Sequence, residues 1–165
     1  MSLEVNRINF KMSLTGTLIG DNGARQEIAF IYDKTFSDGS GASQANSFRK
    51  VTGGSVAAGT PVSLDMAGWT DAQGATVNPA DIKLLIINIT AVSAAGATLL
   101  ISAGASNHLT TMFPDASKGF TARGLGPQVI SSPEEGFDVT AGTGDLLLLT
   151  ATGGTFTYDL YAVCG

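Results

Sequence analysis

Few residues in this chain are of a type that could do chemistry alone. His108 is the single histidine and Cys164 the single cysteine. A histidine set between a serine and an aspartate can act as a general base. His108, however, stands in Ala105-Ser106-Asn107-His108-Leu109, and no serine carries the flanking glycines of a nucleophile elbow. It reads as a loop or interface histidine. Cys164 is penultimate, where a chain is expected to fray, and a catalytic thiol needs a fixed basic partner. A zinc site needs more Cys and His ligands than these two.

Two carboxylates flanking a cleft could serve as a glycosidase pair. Asp33, Asp38, Asp65, Asp71, Asp81, Asp115, Glu134, Glu135, Asp138, Asp145 and Asp159 fall mostly at turns. Aspartate at a turn normally hydrogen-bonds its own backbone. The stretch from Asp33 to Gly39 lacks the alternating ligands of a calcium loop. Gly39-Ser40-Gly41 and Gly142-Thr143-Gly144 precede no helix, so they read as turn glycines and not as phosphate cradles. Trp69 sits in a turn, where it could stack on a sugar, but plugging a sandwich end or a subunit contact is the preferred reading. The chain is therefore expected to be no enzyme, with no catalytic residue, cofactor or metal.

The elements that must position these residues are strands. Ile8, Phe10, Met12 and Leu14 alternate with polar residues, the pattern of a strand with one buried face. Glu27–Tyr32 is rich in β-formers, and Asn22-Gly23 between the two is a tight-turn signal. Ile8 to Tyr32 is thus expected to be a hairpin. A polar loop, Ser37–Asn46, leads to a strand near Ser47–Val51 that Gly53-Gly54 is expected to break. Val62, Leu64 and Met66 alternate again, with Pro61 at the strand start. Gly68–Gly74 reads as a turn.

Asp81–Val92 is apolar on both sides, with Ile82, Leu84 and Ile86 on one and Leu85, Ile87 and Ile89 on the other. That marks a central strand covered on both faces; a short helix is the competing reading. Ala97–Ser102 is its expected neighbour. Between Gly104 and Pro133 the pattern weakens, with a short strand at Gln128–Ser131, and a loop this long suggests an assembly contact. Asp145–Ala151 and Thr155–Cys164 are expected to pair as a hairpin about Gly153-Gly154. Eight or nine short strands with glycine-rich turns predict an all-β chain. The expected architecture is one antiparallel, jelly-roll-like β-sandwich over 1–165, with 1–15 as an extended assembly strand.

Bulk properties narrow the function. Nine Lys and Arg stand against fourteen Asp and Glu, for a net charge of −5. No basic residue follows Arg123, so nothing resembles the basic stripe of a nucleic-acid binder. The longest apolar runs, Leu84–Ile87 and Leu146–Leu149, are far too short to span a membrane as helices. Met1-Ser2-Leu3-Glu4-Val5 carries no basic segment followed by an apolar run, and synthesis and folding in a cytoplasm are expected. Only 14% of residues are charged, against a usual ~25%. A surface this poor in charge either lies against neighbours or relies on Thr, Ser and Asn for solubility.

Three segments carry a resemblance. Asp38-Gly39-Ser40-Gly41-Ala42-Ser43-Gln44-Ala45-Asn46 resembles a D-G-x-G-A-x-Q-A-N stretch. Leu64-Asp65-Met66-Ala67-Gly68, followed by Thr70-Asp71-Ala72 and Gly74, is similar to L-D-L-A-G…T-D-A-x-G. Val139-Thr140-Ala141-Gly142-Thr143-Gly144-Asp145-Leu146-Leu147 is close to V-T-A-G-T-x-D-L-L, and Thr157-Tyr158-Asp159 follows it. In this order they resemble a family of small virion structural proteins of tailed bacteriophages. The chain departs from that family's P-F-G-D with Met112-Phe113-Pro114-Asp115, and Lys118–Glu135 matches it poorly.

The resemblance implies a virion protein, made in the host bacterial cytoplasm, of the head decoration, cement or turret kind. Its expected partners are copies of itself, as a trimer or pentamer, and the major capsid protein or other virion proteins. Ile8, Phe10, Met12, Leu14, Trp69 and Phe113 are the candidate contact residues. The alternative is a tail or baseplate adhesin that binds host glycans.

Overall fold

The computed structural model describes residues 7–19, 25–70, 76–104, 106–115 and 117–165. These residues contain no helix and form strands throughout. The chain opens with β1 (Arg7–Ile19), β2 (Arg25–Asp38) and β3 (Gln44–Ala45), followed by β4 (Ser47–Val56) and β5 (Val62–Asp65). Two short strands, β6 (Trp69–Thr70) and β7 (Thr76–Val77), precede β8 (Asp81–Val92) and β9 (Thr98–Ser102). Then come β10 (Gly119–Arg123), β11 (Gly126–Ser131), β12 (Phe137–Asp138), β13 (Leu146–Thr152) and β14 (Phe156–Cys164).

Eight of these strands make an antiparallel β-sandwich. One sheet has the order β11-β8-β14-β4, with β12 also on β8, and the other has β10-β9-β13-β5. Ile82, Leu85, Ile87 and Ile89 of β8 and Phe156, Leu160 and Ala162 of β14 share one apolar core with Leu99, Ile101, Leu147 and Leu149 of the opposite sheet. Burying a side chain of this size contributes about 1.5–3 kcal/mol, so this interior holds the two sheets together. At one edge, Arg49 of β4 donates to the carbonyl of Asp65 on β5 and lies 3.6 Å from the Met66 sulfur.

Four expectations need correction. Gly53-Gly54 does not end its strand: β4 runs through to Val56, Gly53 taking φ +67° and β14 shifting register between Tyr158 and Leu160. Ala97–Ser102 is not the neighbour of β8, because β9 pairs with β10 and β13 in the other sheet. β13 and β14 are likewise no hairpin; Gly153–Thr155 carries the chain from one sheet to the other. Ile82 faces the core with Leu85, not the outside with Leu84, because the register shifts by one residue at Lys83, between the pairs Leu84↔Val163 and Ile82↔Cys164.

The expected first hairpin is present but stands apart from the sandwich sheets. β1 and β2 pair from Arg7↔Ser37 to Ile19↔Arg25, and only the short β3 joins them. The Asn22-Gly23 turn lies outside the described residues.

Candidate assembly surface

Several of the carboxylates hydrogen-bond nearby backbone. Asp65 accepts the Ala67 N–H at 2.8 Å and Asp159 the Gly53 N–H at 2.9 Å; Asp145 accepts from Gly142. Asp115 accepts both the N–H and the hydroxyl of Ser117, and these two bonds hold its carboxyl below the ordinary value. His108 is half-buried and bridges Leu146 through its backbone. Among the described residues no three His, Cys, Asp or Glu side chains are placed to share a metal ion.

Cys164 does not fray. It ends β14, paired to Ser47 on one side and Ile82 on the other, and is fully buried. Burial pushes its thiol up to about 12, so it is a packing residue and a poor nucleophile.

The candidate contact residues separate into two groups. Phe113 is 6% exposed in the sandwich core, stacked on Phe120 at 6.5 Å, so the main packing of this ring is internal. Trp69 is half-buried in β6, its indole nitrogen enclosed. Neither joins the surface built by β1.

Ile8, Phe10 and Met12 lie on one face of the β1–β2 ribbon, because residues two apart in a strand point the same way. Directly opposite on β2 are Phe36, Lys34 and Tyr32. Near the sandwich this face is covered. Phe36, Ala45, Leu84 and Val163 form a second buried cluster, with Ile8, Phe10, Ile86 and Val129 packed around it. Leu84, Ile86 and Val163 belong to the outer face of the β11-β8-β14-β4 sheet, which explains why β8 is apolar on both sides.

At Met12 the exposure rises. Phe36 is 1% exposed, whereas Met12, four residues beyond its register partner Ile8, is 40% exposed. The register then places Leu14 opposite Phe30, Gly16 opposite Ile28 and Leu18 opposite Gln26. The reverse face is polar near the base, where Thr35 donates to Asn9 at 2.8 Å.

The ribbon is fastened at its base by polar groups. Lys34 Nζ donates to Glu134 at 2.6 Å and to the Ser43 hydroxyl at 2.7 Å, and that hydroxyl donates to Glu134 at 2.8 Å. These bonds hold the Glu134 carboxyl below its ordinary value. Ser43 N–H also donates to the Pro133 carbonyl at 2.9 Å.

A second exposed apolar group lies on the outer face of the same sheet. Phe48 of β4 is 41% exposed, its ring 6.3 Å from that of Tyr161 on β14, and Lys50 Nζ sits 5.9 Å from the Tyr161 ring centre. Sequence reasoning missed this strip; its signal was the alternation Phe48, Lys50 opposite Val163, Tyr161. No family model, curated protein or solved structure matches the chain.

Proposed function

We propose that this chain is a structural protein of a tailed-phage particle, mounted on the capsid exterior as a decoration, cement or turret protein. It works by packing against copies of itself and against the capsid. The β1–β2 ribbon carries this reading. An isolated two-stranded hairpin is at best marginally stable in water. Thirteen paired residues, with the sequence alternating apolar at Ile8, Phe10, Met12 and Leu14 and with Met12 40% exposed, make a ribbon suited to a neighbour.

The strand order supports the reading. With β4 as the first strand of the sandwich, each short connection (β4 to β5, β8 to β9, β10 to β11, β13 to β14) crosses between sheets. We read that order as an eight-stranded jelly roll, an architecture used by viral capsid proteins and also by lectins. Fold alone does not assign function, so the sequence resemblance supplies the choice between them. Its first stretch, Asp38–Asn46, forms the turn at the ribbon's base. There Gln44 accepts the Gly41 N–H at 2.8 Å, and a side chain on Gly39 would collide with Gln44 at 2.5 Å.

The test is location. Gold-labelled antibody to this chain, applied to intact particles of the phage that encodes it, is expected on the head exterior. Label confined to the tail tip would favour the glycan-binding alternative, and particles without label would remove the virion reading.

A further inference from the structure

We infer that β1 of one copy pairs edge to edge with β1 of a second copy, antiparallel about a two-fold axis at Ser13. This rests on the reading that the chain works by packing against itself, and it names the strand that does so and its register.

β1 is an edge strand. Among the described strands only β2 pairs with it, and β3 lies on the far side of β2. Alternate residues of such a strand aim their N–H and C=O groups away from its one neighbour, which makes the edge a template for another strand. The side chains agree at the middle of β1. Lys11, Met12 and Ser13 are all exposed, so neither side of the strand is covered at these residues.

β1 is also the least guarded edge among the described strands. Edge strands are kept from pairing by shortness, bulges, proline or charge. β5 and β10 have four and five residues. β4 has a register shift against β14 and Gly53 at φ +67°, and β11 carries Pro127. β1 runs for thirteen residues in unbroken register with β2 and contains no proline. From Ile8 to Ile19 its one charged residue is Lys11.

The sequence of β1 favours its own copy as the occupant. Antiparallel pairing centred on Ser13 keeps all thirteen positions in the ladder, and any other centre shortens it. It sets Met12 opposite Leu14, Phe10 opposite Gly16 and Ile8 opposite Leu18, with Lys11 opposite Thr15. Apolar types thus meet apolar types or glycine, and polar types meet polar types. An aromatic residue across from a strand glycine compensates for its missing side chain. The charge is accommodated as well. The two copies of Lys11 stand four residues apart along the ladder, about 14 Å, which is beyond the ~8 Å screening length at physiological salt. Such a two-fold contact uses the same patch on both copies and closes at two.

The experiment uses the full chain with Ser13→Lys, Ser13→Glu and Ile31→Ser variants. Ser13 is exposed, so its replacement leaves the buried base of the ribbon intact. Ile31 is 62% exposed and pairs with Ser13 from β2, so it shares that side of the ribbon without lying on the β1 edge. Mass is read by light scattering across a concentration series, and circular dichroism with unfolding midpoints establishes that each variant is folded. Wild type and Ile31→Ser are expected to have the same mass. Ser13→Lys and Ser13→Glu each set like charges directly opposite and are expected to weaken association about five-fold or more. Mixed together, they set opposite charges face to face and are expected to recover association as a 1:1 complex.

A mixture no tighter than either variant alone means that Ser13 does not meet Ser13, which overturns the inference. Charged variants that keep the wild-type affinity overturn it while leaving self-assembly intact. A wild type that is monomeric at every concentration removes the self-packing reading itself.

Discussion

Tyr158 occupies the space that a side chain on Gly54 would need: a Cβ there would sit 2.5 Å from the ring's Cζ atom. The two residues face each other across β4 and β14, next to the register shift that follows Tyr158. Tyr158 is 2% exposed and cannot swing away. Gly54→Ala is therefore expected to cost about 1–3 kcal/mol through overpacking. Gly53→Ala meets open space but forces φ +67° on an alanine, at roughly 1–2 kcal/mol. Urea unfolding checks both, and the Gly54→Ala cost should shrink in a Tyr158→Leu background, where the clash is relieved.

Lys83 is the extra residue of β8 and is buried with its charge. Its Nζ lies 3.0 Å from Asp81 and donates to the Glu135 carbonyl at 3.2 Å. Lys83→Met leaves the Asp81 carboxylate enclosed without its cation, and breaking a buried pair in this way costs about 3–5 kcal/mol. Asp81→Ala costs less, because the ammonium keeps the Glu134 and Glu135 carbonyls. The double variant Asp81→Asn with Lys83→Met should recover much of the single-variant loss, which denaturant titration of the three proteins would reveal.

The strands were largely legible from alternation, but their partners were not. Leu147, Leu149 and Ala151 face the core, as do Phe156, Tyr158 and Leu160. A hairpin about Gly153-Gly154 would set Ala151 opposite Phe156 and Leu149 opposite Tyr158, core against core, so the alternation fits a hairpin as well as a crossing between sheets. The β8-to-β9 crossing gave no more warning, since Ile89 opposite Ile101 is acceptable in a hairpin. Lys83 hid a register shift because a lysine in an apolar run gives no sign that it is the extra residue. For the candidate surface, alternation identified Ile8, Phe10 and Met12, whereas Phe113 lies in a stretch without alternation, where nothing in the sequence signals its packing on Phe120.

The ribbon's base should loosen in acid. Hydrogen bonds from Lys34 and Ser43 hold the Glu134 carboxyl below its usual 4.5. A carboxylate with a depressed folded value adds stability above the unfolded value, and that stability is lost as pH falls through the folded one. Amide protection in β1 and β2 near Ile8 and Phe36, taken relative to the intrinsic exchange rate at each pH, is therefore expected to fall below about pH 4. Glu134→Gln should show the lower protection at neutral pH and lose that part of the pH dependence.

Cys164 should behave as an enclosed thiol. With its pKa raised to about 12 by burial, almost none is thiolate at pH 8. Labelling by a thiol-specific disulfide reagent is expected to be negligible in the native protein and to rise in step with denaturant unfolding. Rapid labelling without denaturant would mean that the end of β14 opens locally.

Shortening the ribbon separates its role from that of the sandwich. The pair Lys11↔Asp33 is a register position at which the ribbon can be closed early. Replacing residues 12–32 by Asn-Gly gives a two-residue turn suited to that closure. The shortened chain keeps Ile8, Phe10 and Phe36, and with them the second buried cluster, so its unfolding midpoint and β-sheet circular dichroism should stay close to wild type. What it loses is the ribbon beyond Lys11, the part proposed to meet a neighbour. Under that proposal light scattering should report a smaller mass for the shortened chain than for the wild type, beyond the residues removed; an unchanged assembly size would show that the ribbon beyond Lys11 has no part in assembly.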